Sequence, residues 1–134
     1  MASEAWTQNE DSVSWQDYPQ EKGIVRGKHL IDADYTPSRG MTMGLLELPP
    51  GTELAAHHHA PQEIYFIRSG IGELRLGDET RRVKPGDVIY IPENTLHGIS
   101  NPGTTRLEFL WFFPTDTWSE IEYHYANPEP DAGQ

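Results

Sequence analysis

From Gly23 to Tyr125 the chain is a series of short apolar runs, each cut off by turn residues before a helix could develop. The runs are GKHLIDA, MTMGLLEL, EIYFIR, GELRL, DVIYI and TRLEFLWFF, and PPG, RSG, LGDE, KPGD, PEN and NPG punctuate them. Those separators carry the backbone demands of tight turns. Twelve glycines and eleven prolines in 134 residues supply corners for many strands. Many short strands at close spacing predict an all-β sandwich or barrel. One domain of this length buries a single core without cross-links. Residues 1–22 are polar and weakly patterned, which predicts an N-terminal arm or a short surface helix. Residues 23–126 form the expected barrel, and 127–134 the expected flexible tail. The stretch WSEIEYHY suits either a short helix or a last strand.

Cysteine is absent, which excludes disulfides, thiolate ligands and a cysteine nucleophile. A metal, if bound, rests on imidazole, carboxylate or phenolate. The net charge of −11, with ten scattered Lys and Arg, argues against nucleic acid and anionic membrane as partners. Mean hydropathy is −0.65, and no apolar stretch approaches bilayer length. The start, MASEAWTQNEDSVSWQD, lacks the basic and apolar regions of a signal peptide, so a cytoplasmic location is expected.

Residues 55–63 read AAHHHAPQE. On an extended strand successive side chains point to opposite faces, so His57 and His59 share one face and His58 takes the other. A pair at i and i+2 can grip one ion from the inner wall of a barrel. A purification tag is usually longer and terminal, and a solvated loop remains the bland alternative for an isolated His-x-His.

The motif is not isolated. Gly51 is followed after five residues by His57, then by His59, Glu63 and Gly70; Gly86 is followed by Pro92, Asn94, His97 and Asn101. The spacing resembles the paired cupin motifs G(X)5HXH(X)3-4E(X)6G and G(X)5PXG(X)2H(X)3N. Asn94 departs from the pattern, which has Gly there. Asn tolerates the left-handed conformation best after Gly, so the departure threatens a turn little. The interval from Gly70 to Gly86 leaves room for one hairpin, turning near Gly77 and Asp78. The resemblance implies a single-domain cupin β-barrel, a double-stranded β-helix of jelly-roll type. It implies one divalent transition metal ion bound by His57, His59, Glu63 and His97. Three imidazoles and a carboxylate suit iron, manganese, nickel, zinc or copper and leave positions open for water or substrate.

Tyr65 lies two residues after Glu63, so alternation sets it on the same inward face. A divalent cation nearby favours the phenolate, which fits Tyr65 for a general base or a further ligand; filling the core is the equal alternative. Trp111 shares parity with Leu107, Phe109 and Phe113, while Phe112 shares the other face with Glu108 and Leu110. Aromatic walls are often only core, but ring faces also attract onium cations.

A narrower resemblance covers LIDAD, MTMGLLELPPG, HHHAPQEIYFI, KPGDVIYIPEN and LEFLWFFPTDTWSEIEY, ending near Tyr123. These blocks are similar to the short single-domain dimethylsulfoniopropionate lyases of the cupin superfamily. That resemblance implies elimination to dimethyl sulfide and acrylate, with Tyr65 as base, Tyr123 as second pocket tyrosine and Trp111 as a substrate-binding wall. Two other readings stay open, since one fold hosts many chemistries: a dioxygenase or isomerase acting on a small carboxylate, and a non-catalytic binding module. His124 is expected exposed, His29 structural or at the surface, and Asp116 and Glu120 as caps near Ser119. Arg68 and Arg75 are expected to pair with Glu73 or Glu79. Apolar outer strands predict a homodimer that hides a sheet edge.

Overall fold

In the computed structural model, which describes residues 4–126, eleven strands build two facing sheets. They are β1 (Gln16–Gln20), β2 (Gly23–Ile31), β3 (Thr42–Leu48), β4 (Glu53–His58), β5 (Glu63–Ser69) and β6 (Gly72–Leu76). β7 (Glu79–Val83), β8 (Val88–Ile91), β9 (His97–Ser100), β10 (Leu107–Phe113) and β11 (His124–Tyr125) follow. One sheet runs β1-β2-β3-β10-β5-β8 and the other β11-β4-β9-β6-β7. The architecture is the expected all-β barrel.

Period-two alternation decides what each strand buries. In β5 the side chains of Glu63, Tyr65 and Ile67 turn inward, while Ile64, Phe66 and Arg68 turn out. β10 buries Leu107, Phe109, Trp111 and Phe113 against them. Its outer face is half-buried rather than fully covered. The hairpin between β6 and β7 turns at Gly77 and Asp78, as the spacing predicts.

Asn94 has φ 57°, the one positive φ of a non-glycine residue among those described. Its amide donates to the carbonyl of His59 (2.8 Å), tying the second motif to the first. Gly70, at φ 83°, has a second constraint: a Cβ there would lie 2.2 Å from the Arg106 carbonyl oxygen. Asn101, the last motif residue, is buried; its Nδ2 donates to the carbonyls of Leu48 and Thr105, both at 2.8 Å.

The sheet begins at Gln16, inside the segment expected as an arm, with β1 pairing to β2 from Gln16↔Gly27 to Gln20↔Gly23. QDYPQ lies at a sheet edge with alternate residues exposed, so it lacks the apolar pattern that marks an inner strand. Ahead of it, Glu10–Ser12 form one 3₁₀ turn. Arg68 pairs with Glu10 and Glu108, and Arg75 donates to the Gly77 carbonyl; neither meets Glu73 or Glu79. The reach of a long side chain to another strand replaces the local pairing expected from sequence. The WSEIEYHY segment ends in the two-residue β11. The expected flexible tail, 127–134, lies outside the described residues. No helix among the described residues is long and apolar enough to cross a membrane.

Candidate metal centre

Strand pairing makes His57 of β4 and His97 of β9 direct partners across the sheet. His59 follows the end of β4, on the same side as His57, and Glu63 opens β5 in the facing sheet. All four side chains are buried, between 0% and 4% exposed. The three imidazoles offer ligand atoms within 4.8 Å of one another. The Glu63 Oε1 lies 3.1 Å from His59 Nε2 and 3.2 Å from His97 Nε2. His58 takes the other face, half-buried, and stacks on the exposed His124 of β11.

Hydrogen bonding fixes what these rings offer. Each Nδ1 faces a backbone carbonyl: His57 that of Ala55 (2.7 Å), His59 that of Pro61 and His97 that of Thr95 (both 2.8 Å). A carbonyl only accepts, so each Nδ1 carries the proton and each neutral Nε2 keeps its lone pair. Three lone pairs and a carboxylate therefore converge on one buried point with no donor among them. A cation resolves that arrangement, and carbonyl-anchored imidazoles are the usual support of metal-ligating histidines. The donor set fits a divalent first-row metal.

The electrostatics agree at His57, whereas at His59 a proton competes with a metal for the same lone pair. Burial, with His97 adding, pushes His57 down to about 3, which keeps its ring neutral and available. At His59 burial opposes protonation, but the hydrogen bond and charge of Glu63 outweigh it and raise the pKa.

Beside the histidines lies a cavity of about 350 Å³ whose wall includes His57, Glu63, Tyr65, Trp111 and Tyr123. Tyr65 is 1% exposed and shares the inward face with Glu63. Burial, then the charge of Glu63, pushes its phenol well above the ordinary tyrosine value; a divalent charge at the histidines acts in the opposite direction. Tyr123 lays its ring 4.8 Å from that of His57 and 5.3 Å from that of His59, centroid to centroid. Its oxygen accepts from Trp118 Nε1 (2.8 Å). Trp111 also lines the cavity, opposite Gly44 of β3.

The sequence reading missed the other end of this cavity. Tyr18 of β1 and His29 of β2 line it too, with Asp32 behind them. His29 is buried, in keeping with a structural rather than a surface position. The available signal was parity: Val25, Gly27 and His29 alternate inward along β2. Tyr18 carried no signal, because it sits in the polar edge strand. Around Ser119, Glu120 caps the turn by accepting from the amides of Asp116 and Thr117 (both 3.0 Å).

The sequence profile described as Cupin domain matches residues 44–113, more than half of the chain. The chain is 31% identical to dimethylsulfoniopropionate lyase DddW of Ruegeria pomeroyi, over 78% of its own length and 68% of that protein. It is 33% identical to an oxalate-binding protein of Thermotoga maritima, over 66% of this chain and 74% of the relative. A crystal structure titled as a predicted oxalate decarboxylase from Thermotoga maritima superposes with a TM-score of 0.75 at 26% identity, covering 82% of this chain and 99% of that one. The match to the profile, the strand order and the shared architecture agree: this chain belongs to the cupin family.

Proposed function

We propose that the protein is a metal-dependent lyase that cleaves dimethylsulfoniopropionate to dimethyl sulfide and acrylate by β-elimination. The observation that carries this reading is the convergence of three imidazole lone pairs and Glu63 beside an aromatic cavity whose wall includes Tyr65 and Tyr123. The similarity to DddW supports it. His57, His59, Glu63 and His97 would hold one iron, manganese, nickel or zinc ion. When bound, such an ion supplies Lewis acidity that offsets charge developing on a substrate carboxylate.

The chain's own residues do the rest. As the phenolate that a divalent charge nearby would favour, Tyr65, on the same face as Glu63, takes the proton alpha to the carboxylate. The C–H electron pair becomes the new double bond, and the C–S pair departs with neutral dimethyl sulfide. A sulfonium is already a good leaving group, so no acid is needed at sulfur. Tyr123 orients the substrate through its remaining O–H, since its oxygen already accepts from Trp118. Trp111 limits the cavity and presents an aromatic surface to the onium end. Tyr65→Phe should lower kcat by roughly a hundredfold or more, the usual scale of general-base catalysis.

A second reading, a non-catalytic carboxylate-binding protein, is favoured by the likeness to the oxalate-binding relative. A third, a dioxygenase, differs in needing oxygen. Release of dimethyl sulfide and acrylate in equal amounts without oxygen supports the lyase; ligand binding without turnover supports the second reading, and oxygen consumption the third. We further propose a cytoplasmic homodimer. The outward Ile64, Phe66, Val88 and Tyr90 of β5 and its edge neighbour β8 support association there. Sedimentation of Val88→Asp beside the wild type tests it, a shift to monomer being the expected result.

A further inference from the structure

The cavity has a second polar end, remote in sequence from the four motif residues and built from β1, β2 and the turn after β2. Asp32 is fully buried, and its carboxylate accepts from the amides of Asp34 (2.9 Å) and Trp118 (3.2 Å). It also faces His29 Nδ1 at 3.1 Å. A carboxylate held by two amides acts as an acceptor, so His29 carries its proton on Nδ1 and keeps a lone pair on Nε2. The Tyr18 hydroxyl stands 2.6 Å from that Nε2 and donates to it; Gln16 Oε1, at 3.4 Å, is the weaker alternative acceptor.

This wiring decides what Tyr18 presents to a ligand. With its proton committed to His29, the phenolic oxygen has only lone pairs left to offer. Burial, with Tyr35 and Asp32 adding, pushes the phenol up to about 12, so the proton stays on oxygen at neutral pH. Beside it stand the rings of Trp118, 5.7 Å from that of Tyr18, and of Tyr123, 6.0 Å from Trp118. Lone pairs and aromatic rings together favour a cation and disfavour an anion. The nearby Lys28 ammonium is held elsewhere, by the Glu10 carbonyl (2.8 Å) and the Trp15 ring (4.7 Å). Space for Tyr18 is made by Gly27, where a Cβ would lie 2.9 Å from Tyr18 Cε2.

We propose that Tyr18, oriented by His29 and Asp32, binds the cationic end of the substrate while its carboxylate lies at the histidine end. The inference rests on the lyase reading and deepens it: the preferred substrates are zwitterions with an onium group, not merely small carboxylates. Tyr18 is the binding residue, and His29 is a positioning residue that keeps the phenolic proton out of the cavity.

The test uses two ligands of the same shape, 3-(trimethylammonio)propanoate and 4,4-dimethylpentanoate, which differ in the positive charge. Their affinities for the zinc-loaded protein are measured by calorimetry with wild type, Tyr18→Phe and His29→Phe. A desolvated cation contact predicts that the wild type prefers the ammonium ligand by about tenfold. Tyr18→Phe should lose most of that preference while leaving the affinity for 4,4-dimethylpentanoate unchanged. His29→Phe should reduce it as well, because the freed hydroxyl can turn its proton inward. For dimethylsulfoniopropionate, Tyr18→Phe should raise KM and leave kcat within about twofold, a split that a purely structural role would not give. A wild type without preference, or a ratio unchanged in Tyr18→Phe, overturns the proposal. Should His29→Phe fail to fold, the Tyr18→Phe ratio alone decides. Dimethyl sulfide production with an unchanged ratio sinks the cation site and leaves the lyase; a collapsed ratio without dimethyl sulfide does the reverse.

Discussion

His59 Nε2 and Glu63 Oε1 stand 3.1 Å apart, although neither carries a proton when the imidazole is neutral. The His59 Nδ1–H is committed to the Pro61 carbonyl, so its other nitrogen meets the carboxylate lone pair to lone pair. Either a proton or a metal cation must lie between them, and the two compete. Glu63→Gln separates these roles, since an amide N–H can donate to Nε2 where the carboxylate cannot. The metal-free variant is expected to melt no lower than the metal-free wild type, while its metal affinity falls by at least about tenfold. Melting curves and metal titrations check both; a variant that binds metal as well as the wild type would remove Glu63 from the ligand set.

Gly44 makes room for the Trp111 wall. A Cβ at position 44 would come within 2.1 Å of Trp111 Cζ2 and 2.6 Å of the Lys28 carbonyl oxygen. Gly44→Ala is therefore expected to cost about 1–3 kcal/mol, the usual scale of overpacking. Urea unfolding measures it, and an unchanged midpoint would mean that the tryptophan has another position to adopt.

Asn94 tests the second motif. Its φ of 57° suits Gly better than Asn, and any β-branched residue worse. Asn94→Gly should be near neutral in stability, whereas Asn94→Val should cost about 1–2 kcal/mol. The valine variant should also bind metal less tightly, because the residue 94 amide anchors the His59 carbonyl. Equal stabilities for the two variants would contradict the strained turn.

The alternation that predicted strands, and the motif spacing that grouped His57, His59, Glu63 and His97, both act through short-range geometry. Period two along β4 and β5 faces His57 and Tyr65 inward without reference to the rest of the fold. Tyr18 and Asp32 were not legible in the same way, although parity along β2 pointed His29 inward. Tyr18 lies on an exposed edge strand, and its role depends on pairing with β2 and on the approach of Trp118 from the far end of the chain. Likewise Arg68 meets Glu10 and Glu108 across long separations, which local charge patterning cannot reveal.

High pH tests the Tyr18 environment without any ligand. Burial, with Tyr35 and Asp32 adding, holds this phenol up to about 12, against 10.0 ordinarily. Above pH 10 the unfolded chain releases the proton first, so stability falls as pH rises from 10 through 12. Tyr18→Phe removes this share, and its stability should decline more shallowly over that range. Unfolding midpoints at successive pH values provide the comparison; parallel declines would mean that Tyr18 ionises as easily folded as unfolded.

The most direct measurement is headspace dimethyl sulfide from dimethylsulfoniopropionate, without oxygen, using metal-stripped protein, the same protein reloaded with each divalent metal, and His97→Ala. The account predicts no sulfide from the stripped protein, recovery on reloading with at least one metal, and none from His97→Ala. Silence from the reloaded wild type with every metal, or undiminished release from the stripped protein, would contradict it.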